Sequence, residues 1–502
     1  MSIDTRTRVR RRPWLGAAVF LLVAVLVAME WPGEHGRGAV YGIALFALLS
    51  LKLTASVKHA PSREAPPRRQ VAVVVPFYNE DPDILAHCLE SILAQTYQPS
   101  HVVVIDDGSS DLRAGSAMAD WQLRFDRAGI AFTAITFEEN KGKREALVAG
   151  FRTAPTAWAY LCVDSDTRLE PRALHEVLRP FSDPTVTCAT GLVIASNWRR
   201  NILTRLIDLR YTNAFLFERA AYSALGSVLC ACGSLAVYRA DVVHKYADDF
   251  LNQRFLGQKA IFGDDRRLTN YALLEGRAVL QETAIASTAV PERLSHYVRQ
   301  QVRWNKSFFR ESLWAIRNLD RRRPAVWLTL IELTSWIVFT GMLIAATIVN
   351  PIRTGQVMLL TYASYLVLVG YARSVRYFEV RRKGVRRWEV AGTFLLAPLY
   401  GLLHMGLLMP LRLYSLATLH RGGWGTRKTV EVGSSPVPAV AAAPVSVAGV
   451  DLVSALDREA ASSGRGALTV LPARRAQLGS AGSAVSRHRR KPSRIASLSR
   501  AA

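Results

Sequence analysis

The sequence predicts an α/β domain with a largely parallel sheet, inserted between transmembrane α-helices. Three observations carry this expectation. Half of the 502 residues are apolar and the mean hydropathy is +0.11, high for a soluble protein and low for a pure membrane bundle. Long apolar runs occupy both flanks: Trp14–Met29 and Ala39–Val57 before, and Val326–Val349, Val357–Tyr371 and Val390–Leu419 after. Between them, short β-branched runs alternate with helical stretches, as in buried parallel strands joined by crossover helices.

The first segment, residues 1–13, is basic, with Arg6, Arg8, Arg10, Arg11 and Arg12. Residues 14–57 then hold two apolar runs, each approaching the ~20 residues needed to cross hydrocarbon. No small-residue cleavage site separates them, so a pair of spanning helices fits better than a signal peptide. Lys52, near the end of the second, is placed to snorkel. The α/β domain covers residues 70–295. Its strands are expected at Val71–Pro76, His101–Ile105 and Trp158–Val163, and helices at Asp83–Gln95 and Arg144–Phe151. Residues 296–320 read as an amphipathic interfacial helix, with Tyr297, Phe308, Phe309 and Trp314.

Residues 325–420 hold the C-terminal membrane helices. A basic loop (Arg373, Arg376, Arg381, Arg382, Lys383, Arg386, Arg387) precedes Val390–Leu419, and Arg421, Arg427 and Lys428 follow it. The positive-inside rule places both ends of that run in the cytoplasm, which a re-entrant segment or tight hairpin kinked at Pro398 would satisfy and a single span would not. The same rule puts the N-terminus and the α/β domain inside. Residues 421–502 are cytoplasmic on the same rule, and from about Thr429 the composition turns to Ala, Ser, Val and Arg with scattered Pro, a solvated, disordered basic tail.

The formal net charge of +24 fits anionic lipid, nucleic acid or a polyanionic substrate, and alone does not choose among them. The five cysteines show no CxxC or Cys/His zinc spacing, the plain reading being a reduced, cytoplasmic domain.

In a parallel sheet, ligands sit beyond the carboxyl ends of the strands. Acids cluster there. Tyr78-Asn79-Glu80 follows the first strand, and Asp106-Asp107-Gly108-Ser109 the second. An acid in this place is suited to a uracil or a ribose, although Asp-Gly-Ser is also ordinary turn chemistry. Asp164-Ser165-Asp166 follows the strand at Trp158–Val163, and two carboxylates so spaced hold one divalent cation, Mg²⁺ or Mn²⁺ for an oxygen-only site. Gly263-Asp264-Asp265-Arg266 supplies a carboxylate able to take a proton from an attacking hydroxyl. Gln300, Arg303 and Trp304 share one helix face, offering a fork for phosphate oxygens and a flat ring for a sugar. A basic membrane protein that acts only by binding anionic lipid or nucleic acid leaves these ordered carboxylates unexplained.

From about Val71 to Trp314 the chain resembles processive family 2 glycosyltransferases of the GT-A fold, in the branch of hyaluronan, chitin and nodulation chitooligosaccharide synthases. The carrying segments are Asn140-Lys141-Gly142-Lys143-Arg144, Cys232 to Arg239, Phe262 to Asn270, Gln300 to Arg310, and Trp424-Gly425-Thr426-Arg427. The resemblance implies that Tyr78, Glu80 and Asp107 hold uridine and that Lys141 and Arg144 line the donor pocket. It makes Asp164 and Asp166 the metal site, Asp265 the general base with Asp264 beside it, and Gln300, Arg303 and Trp304 the grip on diphosphate and acceptor. The implied partners are UDP-sugar donors, a growing polysaccharide and the lipid membrane, with no nucleic acid. The implied place is the plasma membrane, multi-pass, with the catalytic domain cytoplasmic. Gly263–Asn270 and Gln300–Glu311 look more like hyaluronan synthases, implying UDP-GlcNAc and UDP-glucuronate as donors. Cys232-Gly233-Ser234-Leu235 is closer to the chitooligosaccharide branch, which uses UDP-GlcNAc alone, and Arg267 stands where the family usually has His.

Overall fold

The computed structural model describes residues 7–12, 14, 36–354, 367 and 369–421. The first apolar run beyond Trp14, most of Val357–Tyr371, the Trp424–Arg427 motif and the tail lie outside the described residues.

One eight-stranded sheet organises the α/β domain. Its strands are β1 (Val71–Phe77), β2 (His101–Asp106), β3 (Ala131–Thr136), β4 (Ala159–Cys162), β5 (Thr167–Leu169), β6 (Val186–Ala195), β7 (Ala236–Arg239) and β8 (Arg277–Thr288). Their order across the sheet is β3-β2-β1-β4-β7-β6-β8-β5. Every residue of β1 is buried, and its Val-rich sequence suits a strand covered on both faces. Pro76 falls on the flank of β1 that faces β4, beyond their last pairing at Val74 and Cys162, so its missing N–H breaks no ladder.

The sheet is mixed, which corrects the largely parallel expectation. Pairs β1/β2, β2/β3, β1/β4 and β6/β8 are parallel. Strand β7 runs antiparallel to both β4 and β6, and β5 runs antiparallel to β8. The cause is the route of the chain. After β6 it continues through helical turns at Ile202–Ser223 and enters β7 from the edge at which β4 ends. The antiparallel run therefore sets the loop Cys232–Leu235 beside the acids after β4.

Helices α1 (Gly36–Lys58), α2 (Pro82–Leu93), α3 (Lys143–Thr153), α4 (Ile202–Thr212), α5 (Asp264–Glu275), α6 (Leu294–Asn318) and α7 (Pro324–Ile344) complete the frame. Asp81 caps α2, accepting from the Asp83 N–H at 2.9 Å, with Pro82 in the first turn. A π-helical stretch, Asn213–Arg219, continues α4. Leu53 of α1 packs against Phe217 of this stretch and Val375.

Among the described residues, one helical run, Arg387–Ala417, is long and apolar enough to cross a membrane, and Pro324–Val338 is a shorter apolar helix. The expected tight hairpin at Pro398 is not what the structure draws. Arg387–Leu395, Ala397–Leu403, His404–Leu408 and Met409–Ala417 follow one another with a single break at Leu396. Pro398 and Pro410 each lie in the first turn of a helical piece, where a missing N–H costs little.

The basic N-terminus is tied to this frame. Arg8–Val9 pairs antiparallel with Val380–Arg381. Arg11 meets Glu282 of β8 at 2.6 Å, and Arg376 bridges Glu282 at 3.1 Å and Glu379 at 2.8 Å. Two basic segments that charge alone assigns to one side of a membrane thus meet the same strand. Removing one member of a buried ion cluster strands the other. Glu282→Ala should therefore lower stability by about 3–5 kcal/mol, read as a fall in the thermal midpoint of the detergent-purified protein. An unchanged midpoint would show that the cluster does not hold the frame.

Candidate active site

The carboxyl ends of β1, β2 and β4 open onto one large cavity of ≈ 1040 Å³. Two turns build its first wall. Gly108 has φ +70°, and a Cβ there would lie 2.3 Å from the Glu139 carbonyl carbon, so the turn after β2 can press against the 139–142 loop only as glycine. Asp106 serves the turn, accepting from the Ser109 N–H at 2.9 Å. Asp107 faces the other way. Its carboxylate accepts from the Lys141 N–H at 2.8 Å and the Gly142 N–H at 3.0 Å. Burial raises its pKa to about 6, against the opposing pull of those N–H groups. Asp107 thus fixes the loop that carries Lys141 to the cavity. Glu80 is buried and accepts from Ser165 Oγ at 2.6 Å, joining the loop after β1 to the Asp164–Asp166 turn. Tyr78 lines the same wall.

The acids after β4 form the second wall. Asp164 accepts from Lys143 Nζ at 2.5 Å and from Ser234 Oγ at 2.8 Å. Asp166 accepts from Thr288 Oγ1 at 3.0 Å. The Lys143 ammonium also lies 3.3 Å from Asp264. Burial would lower the Lys143 pKa, but Asp164 and Asp264 together hold it well above the usual lysine range.

Gly263, with φ +83°, starts α5. A Cβ there would meet Ser307 Oγ at 2.2 Å, so the glycine lets α5 approach α6. Asp265 sits in the first turn of α5, where its Oδ1 accepts from the Arg266 N–H at 2.7 Å and its Oδ2 from the Cys230 thiol at 3.5 Å. Burial first, then the adjacent Asp264, push its pKa up; Lys143 pulls it back. Gln300, Arg303 and Trp304 of α6 all line the cavity, and the Gln300 Oε1 is buried with no partner among the described residues.

Arg144, expected in the donor pocket, lines the cavity, but its guanidinium is engaged by the protein itself. It donates to the Phe250 carbonyl at 3.0 Å, Gln253 Oε1 at 2.6 Å and the Phe262 carbonyl at 3.3 Å. It holds the segment leading to Gly263. Lys143, Ser234, Thr288 and Cys230 were given no role from sequence, although each touches at least one of the four acids. Thr288 ends a buried strand at the ligand edge, a position that could have marked it. The five cysteines are free thiols.

Among the described residues, no three His, Cys, Asp or Glu side chains gather as a ready protein cage for a metal. Asp164 and Asp166 nevertheless offer oxygen donors from one strand end, and the ammonium against Asp164 shows that this edge accepts positive charge. Two carboxylates suit Mg²⁺ or Mn²⁺ completed by phosphate and water oxygens.

The model of the family described as "Glycosyltransferase like family 2" matches residues 66–307. Hyaluronan synthase of Streptococcus pyogenes is 40% identical over 417 residues, covering 82% of this chain and 96% of that protein. The chain belongs to the family 2 glycosyltransferases. As such it is a glycosyl-transferring enzyme. An N-acetylglucosaminyltransferase of Rhizobium sp. (strain N33) is 35% identical over 72% of this chain and 77% of that one. Among solved structures, a mannosyltransferase from Pyrobaculum calidifontis in complex with GDP-Man and Mn²⁺ aligns with a TM-score of 0.50 at 20% identity. It covers 78% of this chain and 98% of its own, and identifies the curled mixed sheet as the GT-A fold.

On the expectation that Asp265 is the general base, which works only when deprotonated, the acid limb of glycosyl transfer should fall above the ordinary carboxylate range, because burial and Asp264 raise its pKa. Lys143→Met removes the cation that opposes this shift and should move the limb to higher pH. Initial rates of nucleoside diphosphate release against pH check both; a limb that stays near pH 4 in both proteins refutes the expectation.

Proposed function

We propose that this glycosyltransferase is a membrane-bound, processive, inverting enzyme that builds a β-linked polysaccharide from UDP-GlcNAc and UDP-glucuronate. In this it resembles a hyaluronan synthase, and it passes the product out through its own helices. One observation carries the reading. The cavity that holds Asp164, Asp166, Asp264 and Asp265 continues without a wall to Leu49, Glu332, Trp336, Met409 and Arg412 of the apolar helices. A nascent chain leaving the reaction centre has that route before it.

In this scheme Tyr78, Glu80 and Asp107 hold the uridine and Lys141 lines the donor pocket. Asp164 and Asp166 would hold Mg²⁺ or Mn²⁺, which supplies charge for the leaving diphosphate when bound. Asp265 Oδ2 takes the proton from the acceptor hydroxyl. The freed oxygen attacks C1 of the donor sugar, the bond from C1 to the diphosphate oxygen breaks, and the α-linked donor becomes a β-glycoside. Arg303 steadies diphosphate oxygens, and Gln300 supplies its unpartnered buried acceptor to a sugar hydroxyl. Trp304 stands 6.3 Å from Tyr211, centroid to centroid, and the two rings offer flat apolar faces to a pyranose.

The arrangement in the membrane is part of the proposal. The N-terminus, the α/β domain and the 373–387 loop lie on the cytoplasmic face, with α1, α7 and the 387–417 run in the bilayer. The pairing of Arg8–Val9 with Val380–Arg381 supports a common side for the first and third of these. Glu332 lies within α7, and its partners lie on neighbouring elements: Lys52 at 2.5 Å and the Tyr222 hydroxyl. A charge in the bilayer is tolerable when it is so paired.

A second reading has its own support. Cys232 in the loop before β7 is closer to the chitooligosaccharide branch, and a Rhizobium N-acetylglucosaminyltransferase is among the similar proteins. It keeps the mechanism and needs UDP-GlcNAc alone.

Membranes carrying the protein, given Mg²⁺ or Mn²⁺, should form high-mass, hyaluronidase-sensitive polymer only when both donors are present. Polymer from UDP-GlcNAc alone selects the second reading. Asp265→Asn should cut the rate by about 10²–10⁴-fold, and Asp166→Ala should abolish polymer without unfolding the protein. No product from any UDP-sugar would refute the polymerase reading.

A further inference from the structure

Arg219 ends the π-helical stretch Asn213–Arg219 and lines the cavity. A π-turn inside a helix is uncommon and tends to mark a functional position, because the wider turn re-aims the side chain that follows it. The Arg219 guanidinium is fixed on three sides. Its Nε donates to the Cys230 carbonyl at 2.8 Å and one terminal nitrogen, Nη1, donates to the Ala214 carbonyl at 3.2 Å. Its plane lies over the Phe215 ring, 4.3 Å from the centroid. No carboxylate pairs with it among the described residues. The neighbouring acid, Glu218, is engaged by Arg373. The Nη2 edge of the fork therefore has no protein partner among the described residues, in a half-buried place where an unbalanced cation is costly.

That edge belongs to the acceptor side of the reaction. Cys230, whose carbonyl holds Arg219, directs its thiol to Asp265 at 3.5 Å. Asp265 is the base on the proposed mechanism, so the hydroxyl it deprotonates belongs to the last sugar of the growing chain. Tyr211 and Trp304, 6.3 Å apart between ring centroids, line the same cavity. The loops at Asp107 and Lys141 follow β2 and β3, which lie on the far side of β1 and β4 from β7.

We infer that Arg219 is a specificity-determining residue for the acceptor: its free edge binds the carboxylate of a uronic acid at the chain end while N-acetylglucosamine is added to it. This rests on the two-donor reading above. A rigidly mounted guanidinium is suited to carboxylate recognition, and a neutral chain end gives it no anion to meet.

The test separates the two half-reactions in the full-length membrane enzyme. Nascent chains are made with both donors at saturation over a long incubation and washed. They are then walked to one terminus with a single donor and given the other donor in labelled form. Arg219→Gln should slow transfer from UDP-GlcNAc onto uronate-ended chains by about ten- to a hundredfold, the worth of one charge-assisted hydrogen bond. Transfer from UDP-glucuronate onto GlcNAc-ended chains should stay within about twofold of wild type, a loss too small for that bond. Arg219→Lys, which keeps the charge without the fork, should lie between. Equal slowing of both half-reactions in both variants, or an Arg219→Gln protein that cannot be loaded with chain at all, overturns the assignment and leaves Arg219 a structural brace. A wild-type enzyme that polymerises from UDP-GlcNAc alone overturns the two-donor reading instead.

Discussion

The contact on which the site depends is that of one ammonium group with two acids. Lys143 Nζ lies 2.5 Å from Asp164 and 3.3 Å from Asp264. Without it, Asp164, Asp264 and Asp265 would converge from a strand end and a helix start with little to offset their repulsion. At an effective dielectric near 20, two like charges about 4 Å apart repel by about 4 kcal/mol. The lysine makes the cluster tolerable as anions before any donor arrives. Asp265 keeps a raised pKa, since burial and Asp264 outweigh the pull of Lys143.

Further ion clusters, away from the chemistry, hold the elements that carry it. Glu311 of α6 is fully buried and meets Arg267 at 2.7 Å and Arg310 at 2.8 Å, while the Gln253 amide donates to it at 2.9 Å. Arg144 reaches the same Gln253 from α3. The loop with Lys141, the segment before Gly263 and the helix with Gln300, Arg303 and Trp304 are thereby joined through buried polar contacts. Arg267 also stacks on Trp314 at 4.2 Å. A histidine in its place would reach fewer of these partners, so the departure from the usual family residue carries a structural load here.

The strands were legible because their β-branched, buried runs look alike in any parallel core, and β1 and β2 fall within a residue of expectation. The mixed sheet was not legible, since β7 is four residues long and its direction is set by the path of a long excursion rather than by its own sequence. Asp107, Asp164 and Asp166 were legible by their place at strand ends, and Asp264 and Asp265, which open α5, by the Gly263–Arg266 motif. Arg144 and Lys143 were not separable in sequence. They are adjacent on a helix, so they point about 100° apart, and only packing decides which meets the acids and which braces the wall. The break near Pro398 was visible, but its shape was not. A proline in the first turn of a new helical piece and one at a hairpin leave the same mark in sequence.

Two of the charged groups along the proposed exit route are paired with acids. Lys52 meets Glu332 and Tyr222, and Arg373 meets Glu218, so these ionic groups neutralise one another across neighbouring elements. Paired groups present hydrogen-bonding edges without a net charge that would trap a passing chain, which conduction through a pore requires. Arg210, Arg219 and Arg412 line the same cavity with no carboxylate paired to them among the described residues, and of the three Arg219 is the one mounted on Cys230, whose thiol meets Asp265, where the proposal has a chain end held rather than released. Binding at the reaction centre and weak passage beyond it are opposite demands on one cavity, and the difference between a mounted, unpaired arginine and mutually paired lysine and arginine is a physical means of meeting both.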